Sequence, residues 1–156
     1  MPVFDHRFTV RAPLAVVAEF HGDTRALRQL TPPPMFVQLH HFDPLRDGAV
    51  ADFTLWFGPL PIRWVAVHSD VDPQRGFTDS MQRGPMAHWV HQHRFNALGP
   101  DRTEVTDHVE YTYRPGLSGL MGRLFMSPPA LAFLFAYRGW ATRRACARAA
   151  RAHPRR

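Results

Sequence analysis

The chain has 156 residues, enough for one domain with a sizeable core. Its one cysteine, Cys146, excludes an internal disulfide and a cysteine-based metal site, and with Asp5, His6 and Arg7 near the start we expect a cytoplasmic protein without a secretory signal. All nineteen basic residues are arginine, and the net charge of +6 arises entirely in residues 111–156, which hold nine arginines and no acid.

Residues 3–10 alternate, with Phe4, His6, Phe8 and Val10 on one side, and predict a first strand. Pro13 suits a first helical turn, so a short helix is expected over 13–20, broken by His21-Gly22. Asp23 or Thr24 can cap a second short helix through Leu30. Thr31-Pro32-Pro33-Pro34 ends it, because proline neither continues a helix nor favours one before it. Strands are predicted over 35–42, 50–57 and 62–71, with turns at Asp43-Pro44, Asp47-Gly48 and Gly58-Pro59-Leu60-Pro61. Ile62, Trp64 and Ala66 share one face of the last of these.

Residues 77–113 read as three further strands, separated by Arg83-Gly84-Pro85 and Gly99-Pro100-Asp101. On the middle strand Ala87, Trp89, His91, His93 and Phe95 point one way. On the last, Val105, Asp107, Val109, Tyr111 and Tyr113 share a face. A hairpin closing around 99–102 sets Phe95 opposite Val105, His93 opposite Asp107, His91 opposite Val109 and Trp89 opposite Tyr111. An apolar face then carries two histidines and an aspartate, which a plain core does not need.

Arg114-Pro115-Gly116 stops the last strand, and the period changes. Leu117, Leu120, Met121, Leu124 and Phe125 follow helical spacing, and Leu131, Leu134, Phe135 and Arg138 continue the same face. The helix is expected to reach Arg151, roughly 36 Å at 1.5 Å per residue, with a break where Ser127 caps a new start at Pro128. Its longest apolar run, near 130–137, is far short of the roughly 20 residues of a membrane span. A twisted sheet can wrap such a helix, and a loose wrap leaves a cavity.

The element order, with Phe77, Asp79, Gly84-Pro85, Trp89, His91, His93, Phe95, Thr103, Asp107, Val109, Tyr111 and Tyr137-Arg138, resembles the helix-grip, START-like (SRPBCC) superfamily, especially its small bacterial cyclase/dehydrase-like proteins. The resemblance covers nearly the whole chain: one domain over 1–152, then a disordered basic tail at 153–156. It implies an α+β fold: a strand, two short helices, six antiparallel strands and a long C-terminal helix across the curved sheet. It also implies an elongated apolar cavity beneath that helix, for a lipid, sterol, isoprenoid or polyketide. Met81 stands where such proteins often have glutamine, which removes a polar group from any shared network.

The fold hosts carriers, sensors and enzymes alike, so the site must choose among them. The leading expectation is a binder of a small hydrophobic molecule, its wall drawn from Phe53, Trp64, Asp79, Trp89, Phe95, Val109, Tyr111, Met121, Leu124, Phe125 and Phe135, with Trp56 a further aromatic candidate. The alternative is a cyclase or dehydratase using His91 or His93 with Asp107 as acid and base. The plain reading is that the His93–Asp107 pair satisfies itself in the sheet. His91, His93 and Asp107 offer three ligand groups but no fourth is evident, so neither a metal nor a cofactor is expected. Arg143, Arg144, Arg148 and Arg151 complement the C-terminal dipole of the helix. They also allow transient contact with an anionic membrane, and a third reading is an adaptor that docks through this basic helix on anionic membrane or nucleic acid, the latter less expected because no binding motif accompanies the cluster.

Overall fold

A computed structural model describes residues 1–152, so the expected tail at 153–156 lies outside the described residues. The alternating segments form β1 (Val3–Val10), β2 (Phe36–Phe42), β3 (Val50–Phe57), β4 (Leu60–Asp72), β5 (Gly76–Arg83), β6 (Met86–Gly99) and β7 (Arg102–Tyr113). They build one antiparallel sheet in the order β1-β7-β6-β5-β4-β3-β2. Every neighbour except β1–β7 is also a neighbour in sequence, which short turns permit.

The β6–β7 register follows the alternation: Phe95 faces Val105, His93 faces Asp107, His91 faces Val109 and Trp89 faces Tyr111. Pairing then propagates sideways. Asp79 on β5 lies opposite His91, and His68 on β4 lies opposite Asp79, so one transverse row collects His68, Asp79 and His91. Gly76 opens β5 at φ 119°, in the left-handed half of backbone space. A Cβ there would sit 1.9 Å from the His93 carbonyl oxygen, so only glycine lets β5 start against β6.

Between β1 and β2 come α1 (Leu14–Gly22), a single 3₁₀ turn (Thr24–Ala26) and α2 (Leu27–Leu30). Helix α1 runs through His21-Gly22, which were expected to break it. The stop comes at Asp23, whose side chain accepts the Arg25 amide N–H at 2.9 Å and caps the next turn. His21 is therefore helical, with its Nδ1 2.9 Å from the Val17 carbonyl.

After β7 the chain makes a 3₁₀ turn (Gly116–Gly119), α3 (Leu120–Phe125) and α4 (Pro128–Ala152). The break falls at Ser127–Pro128 as expected, with the two helical segments bent by 41°. The face predicted to be continuous is not. Leu117, Leu120 and Leu124 are exposed, whereas Gly119 and Gly122 are buried. The bend turns this segment so that Gly119 of the 3₁₀ turn and Gly122 of α3 meet the backbones of Arg114 and Pro85, while Leu117, Leu120 and Leu124 turn outward.

Helix α4 buries Leu131, Phe135, Gly139, Thr142 and Cys146, spaced by three and four residues as one helical stripe demands. Gly139 sits beside His6 and Phe8 of β1, where a Cβ would lie 3.4 Å from either side chain; a larger residue would hold the helix off the strand. Burying side chains as large as Leu131 and Phe135 contributes about 1.5–3 kcal/mol each. This is the α+β helix grip. Among the described residues no single helix is long and apolar enough to cross a membrane.

Candidate functional site

Between the helices and the central strands a cavity of about 280 Å³ remains. Its sheet wall comes from Ala51, Phe53, Leu55 and Phe57 on β3, Trp64, Ala66 and His68 on β4, Phe77 and Asp79 on β5, and Trp89, His91 and His93 on β6. Leu27 and Leu30 of α2, Leu124 and Phe125 of α3, and Ala130, Phe133, Leu134 and Arg138 of α4 close the other side. Ala51 and Ala66 are paired across β3 and β4, and two adjacent methyl side chains leave space that branched residues would fill. Leu124 and Phe133 line the cavity while 61% and 62% exposed, which marks its opening.

Most of the wall is hydrocarbon. Apart from Asp23, Thr24 and Thr31, the polar side chains gather at one end, where His91 and His93 lie between two carboxylates. His91 Nε2 is 3.0 Å from Asp107 Oδ1, and its Nδ1 is 3.5 Å from Asp79 Oδ2. His93 Nε2 is 3.2 Å from Asp79 Oδ2, and its Nδ1 is 3.1 Å from Asp107 Oδ1. That last contact lies off the hydrogen-bond direction, so it acts as a charge contact rather than an aligned hydrogen bond. The two imidazoles stand 3.8 Å apart between centres. Phe77 covers His93 at 4.5 Å and Phe135 covers His91 at 5.2 Å.

Burial alone would strip the proton from His93, but Asp107 and Asp79 outweigh it and raise its pKa to about 9. Burial and then the charge on His93 push His91 below its ordinary value. The same two causes bring His21 down to about 4, and its ring lies 6.0 Å from that of His93. Burial opposes the charge on Asp107 and Asp79, yet contacts from the histidines hold both below the usual carboxylate range. Arg138 reaches the cavity beneath its contact with Phe135, where the guanidinium carbon is 5.2 Å from the ring centre. Burial lowers its pKa, and the charges of Asp107 and Asp79 work the other way. At neutral pH two carboxylates thus balance protonated His93 and Arg138, leaving His91 and His21 neutral.

Of the residues singled out from sequence, His91, His93, Asp79, Phe53, Trp64, Trp89, Leu124 and Phe125 reach the cavity wall. Asp107 stands behind the histidines, 5% exposed, and acts on the cavity through them. Phe95, Val109, Tyr111, Met121 and Phe135 are not on the wall. Phe95 has passed beneath α1 and packs with Phe8, Val17 and Cys146. Val109, Tyr111 and Phe135 fill the core where α4 touches the sheet. Met121 faces a shallow groove beside Leu60 and Arg114, because α3 is swung outward. Trp56 stacks on Phe36 with ring centres 5.8 Å apart and donates its indole N–H to Gln38.

Among the polar wall residues not named as site residues from the sequence are His21, His68 and Arg138, which lie at the histidine–aspartate end, and Asp23, Thr24 and Thr31. His68 continues the Trp64–Ala66 alternation, a signal that was present. His21 was read as a helix breaker, and its position shows only when α1 packs over β6. In the basic cluster, Arg143 donates to the Thr9 carbonyl at 3.0 Å and lies 5.2 Å from the Phe8 ring, while Arg144 lies 5.5 Å from Trp140.

No family model matches the sequence, and no curated protein does. The fold, however, is shared with solved structures. A Chromobacterium violaceum protein from a structural genomics consortium superposes with a TM-score of 0.75 at 11% identity, over 92% of this chain and 96% of its own. The Zhui aromatase/cyclase of Streptomyces sp. R1128 gives a TM-score of 0.67 at 20% identity, over 92% and 94%. Norcoclaurine synthase of Thalictrum flavum, in complex with dopamine and hydroxybenzaldehyde, gives 0.68 at 17% identity, over 92% and 84%. At such identities the likeness establishes the START-like helix-grip fold, one that hosts ligand-binding proteins and cyclases, and no activity.

Proposed function

We propose that this protein binds a small, largely apolar molecule whose one oxygen-bearing group meets the histidine–aspartate end of the cavity. The observation that carries the reading is Arg138. Its side chain lines the cavity, and its Nε is buried with no hydrogen-bond partner among the described residues. A buried donor left unpaired costs about 1–3 kcal/mol, so the guanidinium gains by turning an N–H toward an acceptor on a bound ligand. The volume, about 280 Å³, suits a compact aromatic or isoprenoid-sized molecule better than a two-chain lipid. The dopamine and hydroxybenzaldehyde bound by norcoclaurine synthase are one-ring, oxygen-bearing molecules of that kind.

A second reading is favoured by one specific feature: His91 and His93 stand 3.8 Å apart on the same wall, with burial lowering the pKa of the first and Asp107 and Asp79 raising that of the second. Such a pair supplies an acid and a base within reach of one substrate. His91 would take a proton from carbon next to a carbonyl, and His93 would protonate a departing hydroxyl, as cyclisation with dehydration requires.

Binding is tested by native mass spectrometry of the purified protein and by titration with a fluorescent anilinonaphthalene probe. Wild type should take up one probe per chain, and Ala130→Trp, which fills the cavity from α4, should abolish uptake. A wild-type protein that retains no apolar molecule and takes up no probe refutes the proposal. If a substrate is found, His91→Gln that still binds but no longer turns it over supports the second reading.

A further inference from the structure

We infer that Asp79, His91 and His93 form a binding site for a zinc-type divalent metal ion, with a fourth coordination position open to the cavity. This stands apart from the ligand-binding reading, because metal uptake needs no organic ligand.

The geometry of the donors carries the inference. The three residues present ligand atoms that all lie within 4.8 Å of one another. Asp79 Oδ2 is 3.5 Å from His91 Nδ1 and 3.2 Å from His93 Nε2. Two ligands each about 2.0–2.1 Å from a tetrahedral zinc ion stand roughly 3.3–3.4 Å apart, so the observed edges already match.

The opposite ring nitrogens strengthen it. His91 Nε2 and His93 Nδ1 both lie close to Asp107 Oδ1, at 3.0 and 3.1 Å. A carboxylate that holds the far N–H of a ligating imidazole is the usual outer partner of a metal-bound histidine, because it fixes the tautomer and raises the basicity of the ligating nitrogen. Here Asp107 does so for His91 through a hydrogen bond, and it stands in charge contact with the far nitrogen of His93. The donors also sit on rigid elements: His91 and His93 are two apart on β6, and Asp79 is directly opposite His91 on β5. Metal sites are held more tightly by strands than by loops.

The donor set, two imidazoles and one carboxylate, fits zinc, cobalt(II) or iron(II) and disfavours magnesium and calcium, which prefer oxygen alone. The absence of a fourth protein ligand, which argued against a metal from sequence, is what an open site requires. A divalent ion is balanced by Asp79 and Asp107, and Arg138 adds one positive charge at the same end. The open position therefore favours an anionic oxygen, such as a phenolate or carboxylate, whose bond to the metal would polarise it.

The test uses the untagged full chain, stripped with a chelator. Calorimetric titration with zinc or cobalt chloride should show one equivalent bound per chain. The cobalt complex should show the intense visible bands of a four- or five-coordinate ion. Asp79→Asn and His93→Gln should weaken binding at least tenfold, and Asp107→Asn by about 10–100-fold. His108→Gln, at a surface site with Asp5, should change nothing. Far-ultraviolet circular dichroism confirms that each variant is folded; should one not fold, the wild-type cobalt spectrum decides. No stoichiometric binding, binding unmoved by Asp79→Asn, binding lost with His108→Gln, or a weak six-coordinate cobalt spectrum overturns the inference.

Discussion

Replacing Asp107 by asparagine probes the arrangement most directly. Asp107 is 5% exposed and touches both His91 and His93. Asparagine keeps the shape and removes the charge, leaving protonated His93 and Arg138 against Asp79 alone. Removing one partner of a buried ion pair costs about 3–5 kcal/mol. For a chain of this size that lowers Tm on the order of 10 °C. The pH dependence adds a second readout. His93 has a folded pKa near 9, above its ordinary value of 6.5, so its contribution is complete below about pH 6.5 and is lost as pH rises through 9. That contribution is on the order of 3 kcal/mol. Asparagine removes the carboxylate that raises it most, so the gap between wild type and variant should be widest near pH 6 and narrow toward pH 10. Urea denaturation of metal-free protein across this range is the assay. A loss below about 1 kcal/mol, or a gap unchanged by pH, would refute the reasoning.

Three further outcomes are expected. His21 has its pKa pushed down to about 4, so the unfolded chain takes up a proton first as pH falls below 6.5; stability on the order of 3 kcal/mol should be lost between pH 6.5 and 4, and His21→Phe should flatten that limb, whereas parallel curves for the two proteins count against it. Gly76→Ala places a Cβ 1.9 Å from the His93 carbonyl at a backbone angle alanine rarely adopts, and should cost more than about 2 kcal/mol in urea denaturation; a neutral effect would mean that β5 does not start as described. Leu131→Ala, at a fully buried position, should cost about 2–5 kcal/mol, whereas Leu117→Ala, 89% exposed, should stay within roughly 0.5 kcal/mol in the same thermal unfolding assay; equal losses would return the 3₁₀ turn before α3 to the core.

What the sequence determined by itself was local pairing. Turn length and period-two alternation were enough to set His93 opposite Asp107 and His91 opposite Val109, because a hairpin register depends only on residues close in the chain. The break at Ser127–Pro128 was legible for the same reason, since proline acts on its own turn. The cavity wall was not. His21 arrives from α1 and His68 from β4, and nothing in either segment states that both meet His91 and His93. Phe135 and Leu134 are neighbours on one apolar helix, yet the first fills the core and the second borders the cavity. That difference rests on where α4 crosses the sheet, which Gly139 sets by its close approach to β1, and on the space that the Ala51–Ala66 pair leaves unfilled. Alternation assigns a side chain to a face; only the spacing between two packed layers decides whether that face ends against carbon or against open space.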